Sequence, residues 1–163
     1  MHNTFNLLFG KISITTDKDS YFPGEPIVAN VSLNFKKPIK ARGIFAELFC
    51  CEHYHLKHQR EMDRYDHHLE EQLGIPRSTN IKTDLRKTDR IIFKKTIQVA
   101  GEGIYSTNSF EVKLPIPDTA QPTSHELGHD NKIHKWFLKV KLDVPFALDK
   151  NTEIEIFVKG LTF

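Results

Sequence analysis

The chain has 163 residues, with 23 Lys and Arg against 21 Asp and Glu for a net charge of +2, and 39% apolar and 27% charged residues. That length is enough for a hydrophobic core without disulfide or metal staples. The balanced composition excludes a disordered chain and a strongly basic nucleic-acid binder.

Residues 1–10 carry no positively charged leader, and nowhere do about 18 apolar residues run together as a membrane helix requires. Cys50 and Cys51 are the only cysteines. They are neighbours in an expected strand, where successive side chains point to opposite faces and do not bond readily to each other. These features predict a soluble, unexported protein of the reducing cytoplasm, organised as one domain over residues 1–163.

Most of the chain repeats with period 2, the pattern of a half-buried strand. Ile12 and Ile14 alternate with Lys11, Ser13 and Thr15. After the turn Tyr21-Phe22-Pro23-Gly24-Glu25-Pro26, the positions Ile27, Ala29, Val31, Leu33 and Phe35 alternate with Val28, Asn30, Ser32 and Asn34. Further strands are expected over residues 42–55, 91–99, 105–114, 133–144 and 153–158. Seven short strands of this kind predict an all-β fold, an immunoglobulin-like antiparallel β-sandwich. One segment departs from the pattern. Over residues 58–73, Met62, Tyr65, Leu69 and Leu73 follow helical spacing before a stop at Gly74 and Pro76, which predicts a helix. Residues 75–90 are polar and predict a return loop, so that 57–87 form an insertion in the sandwich.

The residues His125-Glu126-Leu127-Gly128-His129 spell H-E-x-x-H. On a helix, both imidazoles would reach one Zn²⁺ and the glutamate would act as general base on the bound water, making a zinc-dependent hydrolase the alternative function. The flanks favour a loop. Pro122 bars a long upstream helix, Gly128 lowers helix propensity, and Lys132 and Lys135 stand where an extended metalloprotease motif needs glycine and a third histidine. A lesser reading has His125, His129 and His134, with Asp130 nearby, capturing a metal from a loop without catalysis. His53, His55 and His58, with Asp63, Asp66, His67 and His68, form a second histidine-rich region that reads as a solvated face. The basic groups Lys36, Lys37, Lys40 and Arg42, and Arg86, Lys87, Arg90, Lys94 and Lys95, fit strand edges protected against pairing as well as an anion-binding surface. Neither cysteine has a partner nearby in sequence that would make it a nucleophile.

Three stretches together resemble the amino-terminal domain of arrestins. The first runs from Ile12 to Val28 through Asp17, Tyr21, Pro23, Gly24 and Glu25, and is similar to an entry strand, a D-x-x-x-Y-x-P-G-E turn and a second strand. The second is Ile39-Lys40-Ala41-Arg42-Gly43-Ile44-Phe45-Ala46-Glu47-Leu48. The third joins Phe110-Glu111-Val112-Lys113-Leu114-Pro115, Pro122-Thr123-Ser124, and the strand from Ile133 through Trp136 to Leu142-Asp143-Val144-Pro145. The resemblance covers about residues 9–55 and 88–159. It departs in the helical insertion and in spanning one sandwich where animal arrestins have two, so single-domain microbial arrestin-like proteins are the nearer comparison. It implies a non-enzymatic adaptor or scaffold that binds a protein partner, such as a peptide strand or an acidic or phosphorylated tail, through sheet edges or a basic face. Lys139 and Lys141 are the partner-binding candidates, with no catalytic residue, no cofactor and no nucleic acid expected. Peripheral membrane association fits the same reading. A third reading is a structural subunit that self-associates through the stripe of the 58–73 helix, against the plainer one in which that stripe covers the domain's own sheet.

Overall fold

The computed structural model describes residues 2–7, 10–59, 83–124, 132–146 and 149–160. Among them run nine strands: β1 (His2–Leu7), β2 (Gly10–Thr16), β3 (Ser20–Tyr21), β4 (Pro26–Ala41), β5 (Gly43–Gln59), β6 (Thr83–Ala100), β7 (Gly103–Pro115), β8 (Lys132–Asp143) and β9 (Lys150–Val158). They form a four-stranded sheet in the order β1-β2-β4-β7 and a five-stranded sheet in the order β3-β9-β8-β5-β6. Every pairing is antiparallel except the short β3–β9 contact.

Alternation in sequence becomes alternation in burial. Ile27, Ala29, Val31, Leu33 and Phe35 of β4 are buried, whereas Asn30, Ser32 and Asn34 face solvent. Trp136, Leu138, Val140 and Leu142 of β8 meet Ile44, Ala46, Leu48 and Cys50 of β5 and Ile154 and Ile156 of β9 in the same core. Each Val, Leu or Ile among them, fully buried, contributes about 1.5–3 kcal/mol from apolar area alone.

The entry turn shows why its residues are of these types. The buried Tyr21 hydroxyl donates to Asp17 Oδ1 at 2.6 Å, and the same oxygen accepts the Val28 backbone N–H at 3.3 Å. Burial and Asp17 push the tyrosine hydroxyl up to about 12, so it stays a donor. Glu25 closes the turn by accepting the Phe22 N–H at 3.0 Å. Between them Gly24 has φ of 82°, and a Cβ there would collide with Asp118 Oδ1. Gly24→Ala should therefore cost about 1–2 kcal/mol or more in urea unfolding. An unchanged midpoint would contradict this reading of the turn.

The all-β sandwich stands as expected, with three corrections to its parts. First, no helix occurs among the described residues. His58 and Gln59, expected to begin one, lie in β5 and pair with Asp84 and Thr83 of β6. The rest of the expected helix, with Met62, Tyr65, Leu69 and Leu73, lies outside the described residues. Second, residues 83–90, expected in the return loop, belong to β6. Partner-strand hydrogen bonding overrides the poor strand propensity of so charged a segment. Third, β1 precedes the first expected strand and pairs with β2 from His2↔Thr15 to Leu7↔Gly10.

Candidate partner-binding surface

The outward face of the five-stranded sheet is where the partner-binding candidates lie, and strand register determines what surrounds them. Lys139 of β8 stands between Glu47 of β5 and Glu153 of β9. Glu47 also takes the Lys94 ammonium of β6 at 3.3 Å. Lys141 pairs with Asp149 at 2.7 Å, and that contact holds the aspartate below its usual pKa. The lysines therefore sit in a ladder of alternating charge.

One step along the strands the chemistry changes. Phe49 and Phe137 lie opposite each other in register and stack with centroids 5.4 Å apart. Glu155 is next across β9, and its Oε1 is buried with no hydrogen-bond partner among the described residues. Register carries the apolar strip onward through Cys51 to Ile91 of β6, which is 56% exposed. Among the described residues β6 is the outer strand of this sheet, paired on one side with β5. Two register irregularities, at Ile44/Phe45 and Cys50/Cys51, interrupt that pairing, a device that twists an edge away from uncontrolled association. Sequence reasoning missed the aromatic strip. Its signal was the apolar Phe45, Phe49 and Phe137 at strand positions where a solvated face would carry polar residues.

A second polar group lies at the far end of the same strands. Glu52, nearly buried, meets Arg90 at 3.3 Å, Lys132 at 3.2 Å and His134 Nε2 at 3.4 Å. Burial pushes its carboxyl up, but hydrogen bonds from Lys132 and His134 and the charge of Arg90 outweigh this and hold it below the usual glutamate range. The segment Pro122-Thr123-Ser124 is tied beside this cluster. Ser124 N–H donates to the His134 carbonyl, the Ser124 hydroxyl accepts the His134 N–H, and the Trp136 indole donates to the Gln121 carbonyl at 2.8 Å.

The H-E-x-x-H residues, His125 and His129 included, lie outside the described residues. His134, the third candidate ligand, has its Nε2 directed to Glu52. Among the described residues no three His, Cys, Asp or Glu side chains gather as a metal site. His53 pairs with Asp89 at 2.6 Å. Cys50 and Cys51 are both free thiols. Burial pushes Cys50 up to about 12 and Cys51 in the same direction, which disfavours the nucleophilic thiolate. Of the basic groups, Lys40 pairs with Glu102, Arg42 with Asp143 and Arg90 with Glu52. No helix among the described residues is long and apolar enough to cross a membrane.

The family model described as "Arrestin (or S-antigen), C-terminal domain" matches residues 11–158. The chain belongs to the arrestin family. The matched arrestin domain is the carboxyl-terminal one, whereas the motifs quoted above resemble the amino-terminal one. The crystal structure of Spo0M, a sporulation control protein from Bacillus subtilis, is similar in fold, with a TM-score of 0.63 at 17% identity over 95% of this chain. The chain spans about half of Spo0M, 51% of its length. A comparison with curated protein sequences finds no match. In this arrestin sandwich the D-x-x-x-Y-x-P-G-E residues build a turn, and the Pro122-Thr123-Ser124 segment locks the long aromatic strand. Those motifs serve the fold, and the Phe49–Phe137 pair stacks on the outward face of the five-stranded sheet, away from the core.

Proposed function

We propose that the protein is a non-enzymatic adaptor that binds a protein partner across the outward face of the five-stranded sheet and along the outer edge of β6. The observation that carries this reading is the composition of that face. An apolar centre of Phe49, Phe137 and Ile91 is rimmed by Lys94, Glu47, Lys139, Glu153 and Lys141, the arrangement of a desolvated interface core within a polar rim. Membership of the arrestin family supports adaptor or scaffold work. A peptide strand pairing with β6 would gain backbone hydrogen bonds and place an apolar side chain on the phenylalanines. Its basic groups would find Glu155, whose Oε1 has no donor among the described residues. Its acidic groups would compete with Glu47, Glu153 and Asp149 for the lysines, so binding should weaken with salt.

The experiment is capture of the partner by the full chain from its native organism. The partner should be lost on Lys139→Glu with Lys141→Glu, and independently on Ile91→Asp. It should be kept on Lys113→Glu, which changes β7 in the other sheet. Retention by both face variants, or no partner above background, would contradict the proposal.

A further inference from the structure

One row on the outward face of the five-stranded sheet combines an aromatic surface with an unsatisfied charge. Register sets Phe49 of β5, Phe137 of β8 and Glu155 of β9 side by side. The two rings stack 25° from parallel, so one face of Phe137 is taken by Phe49 and the other is on the Glu155 side of the row. Glu155 is partly exposed, yet its Oε1 is shut off from solvent and takes no hydrogen bond among the described residues. Lys135 and Lys139 flank Phe137 along β8, and neither donates to that oxygen. Lys139 stands instead between Glu47 and Glu153.

A carboxylate oxygen that has neither water nor a donor is costly to keep, and a charged donor removes most of that cost. This separates the side chains a partner could place here. An apolar side chain would cover the rings but bury the carboxylate further and leave it unpaired. An acidic or phosphorylated one would add like charge beside Glu155 and Glu153. A lysine would bring charge as a compact, strongly hydrated ammonium. An arginine meets both parts of the row at once. Its planar guanidinium stacks on an aromatic face, and its fixed fork of N–H groups donates to a carboxylate.

Resting on the partner-binding reading of this face, we infer that the partner presents a basic segment whose arginine lies over Phe137 and is held by Glu155. Phe49 supports the Phe137 ring from its other side. Glu155 is then a specificity residue for the partner, and replacing its charge costs binding but not folding.

Backbone-amide NMR of the full chain, titrated with the blocked peptide acetyl-Val-Arg-Val-amide and with its lysine and citrulline analogues, tests this. The arginine peptide should give saturable shifts at Phe49, Phe137, Glu155 and their immediate neighbours. The lysine analogue should bind about threefold more weakly for want of stacking, and the uncharged citrulline analogue about tenfold more weakly. Glu155→Gln should weaken the arginine peptide about tenfold and Phe137→Leu about threefold. The urea midpoint of Glu155→Gln should be unchanged or higher, since an unpaired carboxylate gives the fold nothing to lose. No saturable shifts along this row, equal binding of the citrulline analogue, or a clear fall in that midpoint would overturn the inference. The captured partner separates it from the adaptor reading. A partner lost on Ile91→Asp but kept on Glu155→Gln removes the arginine anchor and leaves the adaptor. Selective binding of the arginine peptide with no partner captured supports the anchor and counts against the adaptor.

Discussion

Trp136→Ala should lower stability by about 3–5 kcal/mol. Trp136 is 1% exposed, lies 5.4 Å from the Phe93 ring, and donates its indole N–H to the Gln121 carbonyl. Truncation opens a ring-sized cavity at the centre of the five-stranded sheet and leaves a carbonyl unpaired, at about 1 kcal/mol or more beyond the packing loss. Against a usual total of about 5–15 kcal/mol, this threatens the fold itself. Trp136→Phe fills most of the space but lacks the donor, and should cost about 1–2 kcal/mol while speeding amide exchange at Thr123 and Ser124. The measurement is urea unfolding, with a lower midpoint at constant slope. A loss below 1 kcal/mol for the alanine variant would contradict the role assigned to this side chain.

Glu52→Gln should cost about 1–2 kcal/mol at pH 7, and progressively less as the pH falls below about 4.5. The carboxylate receives hydrogen bonds from charged donors, each worth about 1.5–3 kcal/mol. The lower figure applies here because Arg90 and Lys132 reach solvent, which screens them. Its folded-state pKa is depressed. The stabilisation is therefore complete above the unfolded-state value near 4.5 and is lost as pH falls through the lower, folded-state value. The wild type and the variant should converge in acid. An equal gap at pH 7 and pH 3 would show that the side chain acts through shape and not charge.

The strand pattern was legible because burial follows period 2 so closely. Ile12 and Ile14, Ile27 to Phe35 at alternate positions of β4, and Trp136, Leu138, Val140 and Leu142 of β8 all face the core as their spacing demanded. β1 carries the same alternation in its sequence, with Phe5 and Leu7 against Thr4 and Asn6. The extension of β5 and β6 was not legible. His58, Gln59 and residues 83–90 have weak strand propensity, and only cross-strand pairing, which couples residues 24 to 38 apart in sequence, makes them strand. Of the candidate site, Lys139 and Lys141 could be placed on one strand face, but their acidic neighbours come from β5, β9 and Asp149 and belong to register. The aromatic strip was hidden for the same reason. Phe49 and Phe137 are 88 residues apart in sequence and adjacent only through the β5–β8 pairing. The orphaned oxygen of Glu155 left no sequence signal, because a glutamate alternating with isoleucines reads equally well as a solvated strand.

The most direct test of the adaptor reading is hydrogen exchange of the full chain, free and bound to its captured partner. The account predicts slowed exchange along β6 from Arg90 to Gln98 and in the facing part of β5, with β2 and β7 unchanged. Protection confined to the four-stranded sheet, or none on β6, would contradict it.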